Sequence, residues 1–142
     1  MKTSVITWTG GMSFEAHTDT NHVIVMDAKP EVGGEDKGPR PTDLLVAALG
    51  GCTGMDIVSI LKKQRVTIDR FDIGIEADSA EEHPKSFKAF RLTYYLWSPD
   101  ATAEKFKRAV ELSESTYCSV GGLYKKGASI SYKLQLNDEP VE

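Results

Sequence analysis

Two cysteines, Cys52 and Cys118, are the residues of this chain with the clearest potential for chemistry. A thiolate is a nucleophile that a peroxide oxidises to a sulfenic acid, and a second thiol condenses with that acid to form a disulfide. Residues 1–9 alternate polar and apolar types, unlike a signal peptide, so we expect a cytoplasmic protein. In that compartment a cysteine pair is more often redox-active or metal-binding than structural.

Other chemistries have weaker support in the sequence. The histidines His17, His22 and His83 are dispersed, and neither cysteine belongs to a CxxC motif, so we expect no metal site and no cofactor. The formal net charge is −4, with 17 basic and 21 acidic residues, which disfavours a nucleic-acid partner. We also expect no membrane partner, because we find no segment that is apolar over the roughly 18 residues that a span requires.

Hydrophobic periodicity predicts one α+β domain over residues 1–142, with the order βββ-α-ββ-α-β. A long central helix is predicted at 41–64, with Pro41 at its first position and Asp43 near its positive end. A second helix is predicted to begin at Ser98-Pro99. Strands are predicted at 4–9, 12–18, 22–27, 71–77, 86–97 and 129–136.

The central helix carries apolar residues around most of its circumference. A helix of this kind must be buried on more than one side, and one small domain offers too little cover, so a second subunit is expected. Its three glycines, Gly50, Gly51 and Gly54, are unfavourable inside a helix. They predict the close approach of another backbone or of a ligand beside Cys52.

The sequence around the cysteines resembles the OsmC/Ohr family, and within it the YhfA-like branch. The resemblance rests on Pro41 and Leu44 ahead of an Ala/Gly-rich run that ends in Cys52, and on Cys118 after the second long helix. It implies an intertwined homodimer in which long central helices pack against curved antiparallel sheets. It also implies that Cys52 is the peroxidatic and Cys118 the resolving cysteine, with organic hydroperoxides as substrates and a small or lipoyl-type dithiol as reductant.

Three positions depart from the pattern of the family. Thr42 stands where the peroxidases carry a glutamate that pairs with an arginine from the N-terminal strands, and this chain has no arginine before Arg40. Arg40 is therefore our candidate for a cation near Cys52, the alternative being a solvated loop residue. Ser119 stands where the second motif usually has proline. An alternative function thus stays open, namely a redox-sensing or small hydrophobic ligand-binding protein without peroxidase activity.

Overall fold

The computed structural model describes residues 1–142, which form two compact units, Met1–Leu45 and Val46–Glu142. The first unit contains a three-stranded antiparallel meander of β1 (Ser4–Gly10), β2 (Ser13–Thr18) and β3 (Val23–Met26). The three predicted N-terminal strands are confirmed. Whether both units form one domain stays a prediction.

The loop after β3 is organised around the buried carboxylate of Asp27. Its oxygens accept backbone N–H groups from Ala28, Glu35 and Lys37 at 2.7, 3.2 and 3.1 Å. The hydrogen bond from the Lys37 N–H is the largest influence on the pKa of Asp27, which lies below its usual value because the N–H groups favour the carboxylate. A single 3₁₀ turn at Pro30–Val32 interrupts this otherwise irregular segment.

The central helix α1 spans Pro41–Lys63, as predicted. The Asp43 carboxylate accepts the backbone N–H of Arg40, the residue before the helix, and so satisfies one of the free donors at the helix start. Buried residues recur every fourth position along one side of the helix. They are Leu49, Thr53, Ile57 and Leu61.

By length and composition alone, α1 is able to cross a membrane, because it has 23 residues and an apolar window of mean hydropathy 1.9. The expectation that no segment is apolar over the roughly 18 residues of a membrane span was therefore wrong. The core helix of a soluble protein meets the same criterion. In this fold the side that carries Leu49 and Ile57 is fully buried, whereas Met55 is exposed.

The second unit contains a four-stranded sheet in the order β4-β5-β6-β7. The predicted antiparallel pair is confirmed as β4 (Arg70–Ser79) and β5 (Phe87–Trp97). The predicted last strand is β6 (Ser129–Leu136), but it runs parallel to β5, so the sheet is mixed and not wholly antiparallel. The short strand β7 (Glu139–Val141) was not predicted and pairs antiparallel with β6.

The second helix, α2, spans Ala103–Leu112 and begins later than predicted. Thr102 caps it, accepting the Lys105 N–H, whereas the Ser98 hydroxyl accepts the N–H groups of Asp100 and Ala101 in a preceding turn. A π-helical turn, Ser113–Tyr117, continues α2, and a short helix α3, Ser119–Tyr124, follows. Alternate residues of β5 pack with buried residues of α1 and α2 in one core.

The glycines of α1 make room for side chains. A Cβ at Gly50 would lie 3.0 Å from Cδ1 of Ile75, and one at Gly54 would lie 3.0 Å from Cδ1 of Ile73. Both contacts are tighter than ordinary packing, so a larger residue at either position would require the isoleucine side chain to shift. The prediction that another backbone or a ligand approaches these glycines was wrong for Gly50 and Gly54, because side chains of β4 fill the space. A Cβ added at Gly51 would have no neighbouring atom within 4 Å.

Candidate active site

Cys52 lies in the middle of α1, one residue before the buried Thr53, and its thiol is partly accessible. Its sulfur lies 3.8 Å from the hydroxyl oxygen of Ser119, the first residue of α3. The central helix and the start of α3 therefore meet at this thiol.

Cys118 lies between the π-helical turn and α3, and only 7% of its surface is exposed. Its backbone N–H donates to the carbonyl of Ser113 at 2.9 Å, a bond across five residues that defines the π turn. Its sulfur accepts the N–H of Gly121 at 3.2 Å. A Cβ at Gly121 would lie 3.2 Å from that sulfur, so glycine at this position allows the close contact.

The two sulfurs and a carboxylate oxygen of Asp56 all lie within 4.8 Å of one another. The structure thus brings together the two cysteines that the sequence singled out, although distant parts of the chain carry them. Asp56 was missed by the sequence analysis. It follows Cys52 by four residues and therefore shares a face of α1, a spacing that could have identified it.

The two thiols differ in acidity. Burial works to raise the pKa of Cys52, but hydrogen bonds from the Val120 N–H, the Cys118 thiol and the Ser119 hydroxyl outweigh it and leave the pKa below the ordinary value. Burial is the largest of the causes that raise the pKa of Cys118 to about 11, and the hydrogen bond to Cys52 acts in the same direction. Cys52 is therefore the more acidic thiol of the pair, and Cys118 is the thiol that donates to it.

A buried set of hydroxyl groups lies behind the pair. The Ser113 hydroxyl donates to Oδ2 of Asp56 at 2.9 Å and lies 2.8 Å from Oγ1 of Thr53. Thr53 in turn lies 3.0 Å from the hydroxyl of Tyr94, which donates to Glu114 at 2.6 Å. Burial raises the pKa of Tyr94 above its usual value, so this hydroxyl stays protonated.

Arg40 belongs to the first unit, and its guanidinium donates to the carboxylate of Asp36 and to the carbonyl of Gly38. The hydrogen bond to Asp36 raises the pKa of Arg40, which stays charged. The proposed role of Arg40 beside Cys52 stays a prediction. The same holds for the reactive roles of Cys52 and Cys118.

An open apolar groove of about 590 Å³ runs along α1 next to the cysteine-bearing face. The residues that line it are Gly51, Gly54, Met55, Val58, Ser59, Lys62, Phe71 and Ile73.

The family model of OsmC-like proteins matches residues 34–133, which hold both cysteines and the helices that position them. The chain belongs to the OsmC-like family. The resemblance drawn from Pro41, Leu44 and Cys52 is therefore confirmed. Protein YhfA of Escherichia coli (strain K12) is 30% identical to the chain over 131 residues, which cover 92% of this chain and 95% of that protein.

Solved structures show the same fold for this OsmC-like chain. A hypothetical protein from Aquifex aeolicus VF5 superposes with a TM-score of 0.80 at 27% identity, covering 96% of this chain and 98% of that one. An organic hydroperoxide resistance protein from Elizabethkingia anophelis superposes with a TM-score of 0.68 at 15% identity, covering 96% and 98%. The second likeness is one of fold alone.

Proposed function

We propose that the chain is a thiol-dependent peroxidase that reduces organic hydroperoxides, with Cys52 as the peroxidatic and Cys118 as the resolving cysteine. The observation that carries the proposal is the pairing of two free thiols, one with a lowered and one with a raised pKa, whose sulfurs lie within 4.8 Å. A more acidic, partly accessible thiolate beside a buried thiol is the arrangement that a two-step oxidation requires.

The reaction begins when the Cys52 thiolate attacks the terminal oxygen of a hydroperoxide. The O–O bond breaks, the alkoxide takes up a proton and leaves as an alcohol, and Cys52 becomes a sulfenic acid. The sulfur of Cys118 then attacks the sulfur of Cys52, water leaves and a disulfide forms. A dithiol returns both cysteines to thiols and becomes a disulfide itself. Each cycle moves two electrons from the dithiol to the peroxide.

Two observations support organic hydroperoxides as the class of substrate. The apolar groove on α1, which Gly51 and Gly54 line on either side of Cys52 in sequence, offers an alkyl tail a surface that hydrogen peroxide cannot use. A structural neighbour is called an organic hydroperoxide resistance protein. A cytoplasmic location, a homodimer and a small or lipoyl-type dithiol as reductant complete the proposal, and Arg40 is its candidate cation.

A second candidate is an OsmC-like protein that senses redox state or binds a small hydrophobic molecule without turning over peroxide. Thr42 in place of the family glutamate favours it, because a neutral hydroxyl cannot form an ion pair with an arginine. The open groove on α1 would then be the ligand site, and the cysteines would act as a thiol switch.

Peroxide consumption in the presence of dithiothreitol separates these functions. A peroxidase consumes tert-butyl hydroperoxide faster than hydrogen peroxide, over many turnovers per chain. A sensor or binding protein consumes no more than one equivalent. The second outcome would end the peroxidase proposal.

Cysteine variants test the assignment of roles. In the wild type, one equivalent of tert-butyl hydroperoxide should produce a disulfide between the two cysteines. Cys118→Ser should still consume the first equivalent and then accumulate sulfinic acid on Cys52, because nothing intercepts the sulfenic acid. Cys52→Ser should consume nothing. Peptide mass spectrometry distinguishes these products, and peroxide reduction by Cys52→Ser at the wild-type rate contradicts the assignment.

A further inference from the structure

We propose that Cys52, Cys118 and Asp56 form a binding site for a thiophilic divalent cation, of which Zn²⁺ is the example tested below. Their ligand atoms all lie within 4.8 Å of one another. Atoms that share a tetrahedral zinc ion at about 2.0–2.3 Å lie roughly 3.3–3.8 Å apart. Small side-chain movements therefore suffice to close this triangle around one ion.

The chemistry of the three groups fits zinc. Two thiolates are soft ligands that select zinc or cadmium over magnesium and calcium, and a carboxylate completes a mixed S₂O set. Three protein ligands leave a fourth position for water, which the partial exposure of Cys52 permits. The sequence analysis expected no metal site, because it looked for closely spaced cysteines and histidines and did not include Asp56.

The groups around the triangle already orient its members. The Ser113 hydroxyl donates to Oδ2 of Asp56 at 2.9 Å, and the carbonyl of Ser113 accepts the N–H of Cys118 at 2.9 Å. The N–H of Gly121 donates to the Cys118 sulfur at 3.2 Å. Hydrogen bonds that fix metal ligands in this way are typically worth 10–100-fold in affinity. Ser113 thus holds two of the three ligand residues together.

Occupation of this site would withdraw both thiolates from other reactions. Zinc and a peroxide would compete for Cys52, and oxidation of the pair to a disulfide would remove two of the three ligands. Binding of the ion itself does not rest on the proposed peroxidase function. Only the competition between zinc and a peroxide for Cys52 rests on that function.

Zinc binding is measured on the reduced wild-type protein, without peroxide, by competition with a chromophoric chelator. We expect one Zn²⁺ per chain. Cys52→Ser and Cys118→Ser should each weaken binding by at least about a hundredfold, and Asp56→Asn by about tenfold or more, since a lost ligand costs at least as much as a lost partner of a ligand. The matched control is Asp69→Asn, an exposed aspartate outside the site, which should bind as the wild type does.

Binding that is equally tight in Asp56→Asn and in the wild type would overturn the three-ligand site, and binding retained by the double cysteine variant would overturn the proposal as a whole. Circular dichroism checks that Asp56→Asn folds, and Asp56→Ser replaces it if it does not. The Co²⁺-loaded wild type provides a second measurement, in which the absence of thiolate-to-metal charge-transfer absorption also contradicts the site. Peroxide consumption, assayed separately after chelation, fails or succeeds independently of these results.

Discussion

The hydroxyl of Ser119 lies 3.8 Å from the sulfur of Cys52, although the two residues are 67 positions apart in sequence. The family usually has proline at the position of Ser119, and proline has neither a hydroxyl nor a backbone N–H to offer a thiolate. This chain therefore has an additional donor next to the candidate nucleophile. With the Val120 N–H and the Cys118 thiol, Ser119 belongs to the three groups that lower the pKa of Cys52 by hydrogen bonding.

Ser119→Ala should raise the pKa of Cys52, because the thiolate loses one donor while the thiol loses little. At 3.8 Å the hydrogen bond is long, and it lowers the pKa of Cys52 less than the hydrogen bonds from the Val120 N–H and the Cys118 thiol do, so we expect a small upward shift. The pH dependence of alkylation of Cys52 by iodoacetamide, monitored by peptide mass spectrometry, measures it. Ser131→Ala, an exposed serine on β6, is the control. A profile unchanged by Ser119→Ala would assign the acidity to the other two donors.

Arg40→Ala should also raise the pH at which Cys52 reacts, if the charge of Arg40 favours the thiolate. An opposite charge close to a thiol lowers its pKa, and the pairing of Arg40 with Asp36 weakens this effect. The same alkylation profile measures it. Arg40→Lys keeps the charge and should retain most of the wild-type profile. Coincident profiles for the wild type and Arg40→Ala would remove Arg40 from the site.

The sequence predicted the elements that carry the cysteines better than it predicted their neighbours. The length of α1 followed from local pattern and propensity, whereas the side chains of β4 that contact its glycines did not. The helix α3 was not predicted, because glycine is a poor helix former and both Gly121 and Gly122 lie in it. The Cys118 sulfur caps this helix by accepting the Gly121 N–H. Asp56 was not considered in the sequence analysis.

The directions of the strands in the second sheet could not be predicted from the local sequence pattern. Alternation identifies β6 as a strand, but its parallel pairing with β5 depends on how α2 crosses between them. The strand β7 follows a two-residue turn, Asn137-Asp138, which the sequence analysis did not use to predict it. Asn137 and Asp138 both have positive φ, at 50° and 68°, which is typical of the tight turns that join two antiparallel strands.

Thr53→Val should destabilise the protein, because it removes the hydroxyl that lies between Tyr94 and Ser113 and leaves its shape almost unchanged. Thr53 is fully buried, so water cannot replace the lost partner, and the expected cost is about 1–3 kcal/mol in the free energy of unfolding. Urea denaturation followed by circular dichroism measures it. Thr53→Ser keeps the hydroxyl and should lose only about 1 kcal/mol for the missing methyl group. A Thr53→Val variant as stable as the wild type would mean that these hydroxyls contribute no net stability.

The last prediction concerns the proposed homodimer, in which the α1 helices of two copies pack together. Met55 lies on α1 in the apolar groove with 76% of its surface exposed, and burying apolar area of this kind stabilises an interface by about 25 cal/mol per Å². The wild type should therefore scatter light as a dimer of 15.6 kDa chains at micromolar concentration.

Met55→Lys places a charge in that proposed interface and should shift the equilibrium between monomer and dimer at least tenfold toward monomer. Ala103→Lys, a substitution at an exposed position on α2, should leave the dimer intact. A wild type that is monomeric, or a Met55→Lys variant that remains fully dimeric, would mean that this face of α1 is not the contact between subunits.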